Sequence, residues 1–170
     1  IGVSNFNEKQ MIRAHKALEK RGLKLTSNQM EYNILNRKIE SNGVLKTAQN
    51  LNISIIAYSP LAQGITTGKF HDNPKLLKKL HIWRKSKLNR RKLNLLSSQP
   101  VINELKKIGD NHNAKPGQIA LSWLVSFNKH VFAIPGSTSI EQAKDNVEAM
   151  KINLSSNEIE KLDYISKKFI

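Results

Sequence analysis

Four strand candidates, at 2–5, 25–31, 53–59 and 131–135, alternate with stretches of helical spacing. The third is the clearest: Ile53, Ile55, Ile56 and Ala57 are mostly β-branched and carry no charge, which predicts a strand covered on both faces of a parallel sheet. A chain that leaves a strand through a helix re-enters the sheet in the same direction, so this alternation predicts an α/β fold with parallel strands. Four βα units are half of an eight-unit barrel. A chain of 170 residues with 39% hydrophobic content can form one domain, or one large piece of a domain.

The helix signals agree with that rhythm. Asn7 with Gln10 predicts a capping box, Met11, Ala14, Ala17 and Leu18 form one apolar stripe, and Gly22 closes the helix. A shorter helix follows Gly43, with Leu45, Ala48 and Leu51 on one side. Pro116 suits a first helical position, and Ile119, Ala120, Trp123 and Leu124 continue from it. Ser139 with Gln142, and Ser155 with Glu158, predict two further capping boxes. Residues 62–98 read as one long connection, followed by a helix over 101–111.

Cysteine is absent, which excludes disulfides and thiolate metal sites and fits a reducing compartment, here expected to be the cytoplasm. The five histidines stand singly, without the close spacing of a zinc site, so no metal is expected. No run of roughly 18 apolar residues predicts a transmembrane helix, and no membrane partner is expected. The opening IGVSNF shows neither an initiator Met nor a signal pattern, and is expected to be the start of a segment within a longer protein. The formal net charge of +15 favours anionic partners. Between Asp72 and Glu104 there is no acidic residue, while Lys75, Lys78, Lys79, Arg84, Lys85, Lys87, Arg90, Arg91 and Lys92 alternate with Leu76, Leu77, Leu80, Ile82 and Trp83. Such a stretch suits phosphates, whether of a nucleic acid or of a smaller ligand, and equally suits a solvated loop.

Three strand ends carry amides, hydroxyls and an aromatic ring: Ser4-Asn5, Asn28-Gln29 and Tyr58-Ser59-Pro60. In a parallel sheet they share one rim, the edge where α/β proteins bind ligands. Each pair taken singly also reads as ordinary turn or capping chemistry. The fourth strand end, IPGSTSIEQAKDN, places Gly136 and the hydroxyls of Ser137, Thr138 and Ser139 just before a helix start, whose free N–H groups attract phosphate. A plain N-cap by Ser139 explains the same residues.

The segments GVSNF, SNQMEYNILNR at 27–37, IIAYSPLAQGITTGK at 55–69, PGQIALSWL at 116–124 and IPGSTSIEQAKDN at 134–146 together resemble the second half of an aldo-keto reductase, in the family's order and approximate spacing. The resemblance implies the C-terminal half of a (β/α)8 TIM barrel, units five to eight, with NADP(H) across the C-terminal rim. It implies that Ser4, Asn5 and Gln29 bind the nicotinamide carboxamide and that Tyr58 stacks on the nicotinamide ring. Ser59, Pro60, Leu61, Gln63 and Lys69 would follow the pyrophosphate, and Gly136, Thr138, Gln142, Asp145 and Asn146 would surround the adenosine and its 2′-phosphate.

Two departures stand out. No basic residue lies between Gly136 and Gln142, which leaves NAD(H) open beside NADP(H), with Lys75 to Lys92 as a candidate source of the missing cations. Lys115 occupies a position where a Ser or Thr cap is usual. The Tyr, Lys, Asp and His that the family uses for carbonyl reduction belong to the first half of its barrel, so no catalytic residue is assigned in this segment. Tyr32 and Tyr164 are not substitutes, the one lying beyond its strand and the other on the last helix. The expected partners are a small carbonyl substrate, an aldehyde or ketone, and the missing N-terminal half of the barrel, without which the segment is expected to be inactive. A non-catalytic relative resembling the potassium-channel β subunits is the alternative; nucleic-acid binding through 75–92 would leave the rim motifs without a role.

Overall fold

The computed structural model describes residues 1–80, 82, 86, 95–127 and 130–170. Strands β1 (Gly2–Ser4), β2 (Ser27–Glu31), β3 (Ser54–Tyr58) and β4 (Val131–Ile134) form one sheet in the order β1-β2-β3-β4, every pair parallel. Each lies within the span expected for it. The connections carry helices α1 (Glu8–Glu19), α2 (Val44–Asn50), α3 (Lys69–Asp72), α4 (Lys75–Lys78), α5 (Leu95–His112) and α6 (Pro116–Phe127). After β4 come α7 (Ile140–Glu148) and α8 (Ser156–Ser166).

Strand register sorts the side chains onto two faces. Asn28 pairs with Ile55, which pairs with Val131, and all three are buried in the core that Met11, Val44, Ala48, Ile102, Leu105 and Trp123 share. The neighbouring row, Gln29, Ile56 and Phe132, points to the other face. Ile56 and Tyr58 are half-buried rather than buried, which corrects the expectation that β3 is covered on both sides. No layer of described residues covers that face: Phe132 is 58% exposed and Ile134 47%. Burying a large apolar side chain is worth roughly 1.5–3 kcal/mol, so these two alone leave several kcal/mol of burial unrealised.

Two of the three expected capping boxes are complete, at Asn7/Gln10 and Ser155/Glu158. The third is half a box. Ser139 accepts from the Gln142 N–H at 3.2 Å, but the Gln142 side chain reaches past it to accept from the Thr138 N–H at 2.9 Å and the Thr138 hydroxyl at 3.1 Å. Two donors of the 135–139 turn converge on one oxygen, and this wins over the single donor of the N-cap. The connection expected at 62–98 contains structure that periodicity cannot reveal: a 3-10 stretch at Ala62–Thr67 and the four-residue α3 and α4, with Leu76, Leu77 and Leu80 packed on the core. Helix α5 begins at Leu95, ahead of the start expected at 101, and runs through Pro100. Trp83, Arg84, Lys85, Lys87, Arg90, Arg91 and Lys92 lie outside the described residues.

Arg37, 1% exposed, ties the C-terminus to the barrel-like core. Its Nε donates to Glu40 Oε1 at 2.7 Å, one terminal nitrogen donates to Glu40 Oε2 at 2.6 Å and pairs with Asp163, and the other donates to Ser166 Oγ at 2.7 Å and the Asp163 carbonyl at 3.0 Å. The guanidinium lies 5.1 Å from the Trp123 ring centroid, and the Arg37 N–H donates to the Phe169 carbonyl at 2.8 Å. Burial, together with Glu40, which accepts the Tyr32 hydroxyl at 2.8 Å, pushes the Tyr32 phenol far above its ordinary value, so it stays protonated. Removing one partner of a buried ion pair strands the other. Arg37→Ala should therefore destabilise the intact protein by about 3–5 kcal/mol in urea unfolding, and Arg37→Lys should recover little, because a single ammonium cannot serve the planar fork. A loss below about 1 kcal/mol would mean that water satisfies the network.

Glu158 closes the seam between α5 and α8, 3.0 Å from His112 Nε2, and accepts the Ser155 N–H at 2.8 Å. Burial opposes its charge, but the Ser155 N–H and hydroxyl and then His112 prevail, and the carboxyl sits below its ordinary value. A depressed carboxylate contributes stability that is present above the unfolded-state value and is lost as pH falls through the folded one. Glu158→Gln should accordingly lose less stability than the unaltered protein on acidification below the ordinary carboxylate range; identical acid limbs in pH-dependent unfolding would contradict this.

Candidate functional site

Parallel pairing brings the ends of β1 to β4 to one rim, and the chain leaves β3 there through a tight, polar turn. Ser59, Ala62 and Gln63 adopt left-handed backbone conformations, with φ of 52°, 48° and 59°, and Asn5 at the end of β1 has φ of 58°. These are four of the six described non-glycine residues with positive φ, a conformation that disfavours L side chains and concentrates at ligand sites. The turn is held by its own hydrogen bonds: Ala62 N–H to the Ser59 carbonyl at 2.9 Å, Gly64 N–H to the Leu61 carbonyl at 2.8 Å and Gln63 Nε2 to Ser59 Oγ at 2.9 Å. Asn33 Nδ2 donates to the Ser59 carbonyl at 3.0 Å from outside.

Beside this turn opens a cleft of about 820 Å³, within the usual size range of small-molecule sites. Ten of the residues predicted from sequence line it: Ser59, Pro60, Leu61, Gln63 and Lys69 on one side, Gly136, Thr138, Gln142, Asp145 and Asn146 on the other. A Cβ added at Gly136 would meet nothing within 4 Å, so the backbone there faces open space. Asn146 Nδ2 donates to Ser137 Oγ at 2.8 Å, fixing the turn before α7.

The other four predicted residues form a separate chain of contacts across the strand ends. The Tyr58 hydroxyl donates to Asn5 Oδ1 at 3.2 Å, Asn5 Nδ2 donates to Ser4 Oγ at 3.1 Å, and the Ser4 hydroxyl donates to the Gln29 carbonyl at 3.3 Å. Gln29 enters through its main chain, whose carbonyl also accepts the Asn5 N–H at 2.9 Å. Tyr58 directly precedes Ser59, so the two groups meet at the end of β3. Tyr32, 0% exposed on Glu40, and Tyr164, 74% exposed, lie elsewhere.

Sequence reasoning missed one wall of the cleft. Lys115, Pro116, Gly117 and Gln118, the start of α6, line it because α6 packs against the 62–67 turn. A Cβ at Gly117 would come within 3.4 Å of Thr67 and 3.6 Å of Leu61, which makes Gly117 the one available signal of close approach. In place of a hydroxyl cap, the Gln118 side chain accepts the Lys115 N–H at 2.8 Å. The Lys115 ammonium donates to Glu141 Oε1 at 2.7 Å and Asp145 Oδ2 at 2.8 Å; hydrogen bonds to Asp145 and then Glu141 hold it above the ordinary lysine value. The cleft thus offers one flank of hydroxyls and amides, one ammonium at Lys69 and a carboxylate-bound lysine opposite.

Comparison with known proteins identifies the family. The sequence model described as the aldo/keto reductase family matches residues 1–167. The chloroplastic pyridoxal reductase of Arabidopsis thaliana is 30% identical over 98% of this chain and 43% of its own length. The aldo-keto reductase yakc [NADP(+)] of Schizosaccharomyces pombe is 29% identical over 79% of this chain and 39% of its own length. Among solved structures, the thermostable aldo-keto reductase Tm1743, in complex with the inhibitor epalrestat, superposes with a TM-score of 0.70 at 30% identity, over 97% of this chain and 47% of that one. The chain spans a little under half the length of the curated relatives it matches. It has the fold of the C-terminal half of a (β/α)8 barrel, and it belongs to the aldo/keto reductase family.

Proposed function

We propose that this chain supplies the cofactor-holding rim of an NADP(H)-dependent reductase of aldehydes or ketones. The observation that carries the proposal is the cleft itself, in which ten residues from two distant parts of the sequence meet around open space beside a strained strand end. The donor chemistry fits a dinucleotide. Hydroxyls, amides, the Lys69 ammonium and the open backbone at Gly136 suit phosphates, while Tyr58 offers a flat aromatic surface.

A bound nicotinamide dinucleotide supplies the hydride; the protein contributes binding, orientation and electrostatics. Ser4, Asn5 and Gln29 would present polar groups to a carboxamide; hydrogen bonds among Ser4, Asn5 and the Gln29 carbonyl tie these two strand ends together. Ser59, Leu61, Gln63 and Lys69 would take the pyrophosphate, and Thr138, Gln142, Asp145 and Asn146 the adenosine. On this reading no described residue of the chain is assigned as the acid for the developing alkoxide. That proton would come from residues outside it, on a complementary set of βα units covering the bare sheet face and the free edges of β1 and β4. Names such as pyridoxal reductase support a small aldehyde as the substrate class without selecting one.

Tyr58→Ala in the intact protein should weaken NADPH binding by roughly 1–3 kcal/mol, the scale of aromatic stacking on bases. In parallel, residues 1–170 alone should consume no NADPH with a panel of aldehydes, and should do so once the complementary units are supplied. Unchanged affinity in a fluorescence titration would remove Tyr58 from the site, and turnover by residues 1–170 alone would show that the proton donor lies within them.

A further inference from the structure

Lys115 precedes α6, yet its ammonium crosses to α7, where both of its hydrogen-bonded partners are carboxylates, Glu141 and Asp145. A second tie runs beside it, from Gln118 Nε2 to the Asp145 carbonyl at 3.1 Å. Lys115 and Asp145 line the cleft, whereas Glu141 does not. Glu141 is 77% exposed and contacts the cleft lining through Lys115. One ammonium against two carboxylates leaves the cluster with a net charge of −1. The other cleft-lining cation among the described residues, Lys69, stands on the β3 side. An anionic group arriving at the α7 side therefore meets a lysine already shared by two competitors.

The two nicotinamide dinucleotides differ at one point, the 2′ position of the adenosine ribose. A 2′-phosphate brings about −1.5 to −2 of charge, whereas a 2′-hydroxyl can donate to a carboxylate. Resting on the reading of this cleft as the dinucleotide site, we propose that the Lys115–Glu141–Asp145 cluster sets which dinucleotide is preferred, Lys115 favouring the 2′-phosphate and Glu141 acting as a brake on it. Removing the Glu141 charge neutralises the cluster and frees a donor of Lys115. Removing the Lys115 charge leaves two uncompensated carboxylates, of which Asp145 lines the cleft.

The test is a pair of fluorescence titrations, NADPH and NADH, on the intact protein and its Glu141→Gln and Lys115→Gln variants, at about 0.05 M and about 0.5 M salt. Glu141→Gln should tighten NADPH roughly three- to tenfold and leave NADH within about twofold; Lys115→Gln should weaken NADPH by a similar factor, and both effects should shrink at the higher salt. If both ligands shift equally in each variant, the cluster is only a strut between α6 and α7 and the inference is overturned. Binding of both dinucleotides with an unmoved ratio overturns this inference alone. Failure of the unaltered protein to bind either one overturns the proposed function and this inference with it.

Discussion

Parallel pairing is the constraint on which the rest of the structure depends. Because β1 to β4 run in one direction in chain order, every crossover must travel back along the same side of the sheet, and the helices accumulate there. The same geometry sends Asn28, Ile55 and Val131 into the helix layer and leaves Ile56, Phe132 and Ile134 on the opposite face. It also delivers all four strand C-termini to one rim. The cleft and the bare face are two results of one topology.

What happens at that rim costs conformational energy. Three residues between 59 and 63 hold positive φ, and the compensation comes from their own carbonyls and from Asn33 and Gln63 side chains. Arg37 lies four residues beyond Asn33, and its clamp on Glu40, Asp163 and Ser166 fixes the loop that carries Asn33. A structural cation thereby supports a strained turn it does not touch. The polar network around Arg37 and the strained turn after β3 are joined in the chain by the loop from Asn33 to Arg37.

Strand positions, the apolar stripe of α1 at Met11, Ala14 and Leu18, though not the exposed Ala17, and the paired residues at Asn7 and Ser155 were legible because each rests on local periodicity or on a contact within four residues. At the cleft, the residues just after β3 and β4, among them Ser59, Pro60, Gly136 and Thr138, were legible as strand-end chemistry, whereas Leu61, Lys69, Gln142, Asp145 and Asn146 came from the family resemblance alone. The α6 wall was not. Lys115 to Gln118 reach the cleft through packing of Gly117 on Thr67, a contact across fifty residues that no local pattern encodes. The half-box at Ser139 failed for a related reason: Gln142 could choose between two upstream donors, and only the path of the 135–139 turn decides between them. Helices of four residues, such as α3 and α4, are shorter than the window in which a 3.6-residue period can be seen.

If the rim turn and the start of α7 together hold a dinucleotide, its binding should slow the exchange of backbone amides in both places at once. Hydrogen exchange followed by mass spectrometry on the intact protein, with and without saturating NADPH, reads this directly. Protection concentrated in peptides covering 59–64 and 136–142 is the expected result. Saturable NADPH binding that leaves both segments unprotected would place the cofactor elsewhere and contradict the assignment of the cleft.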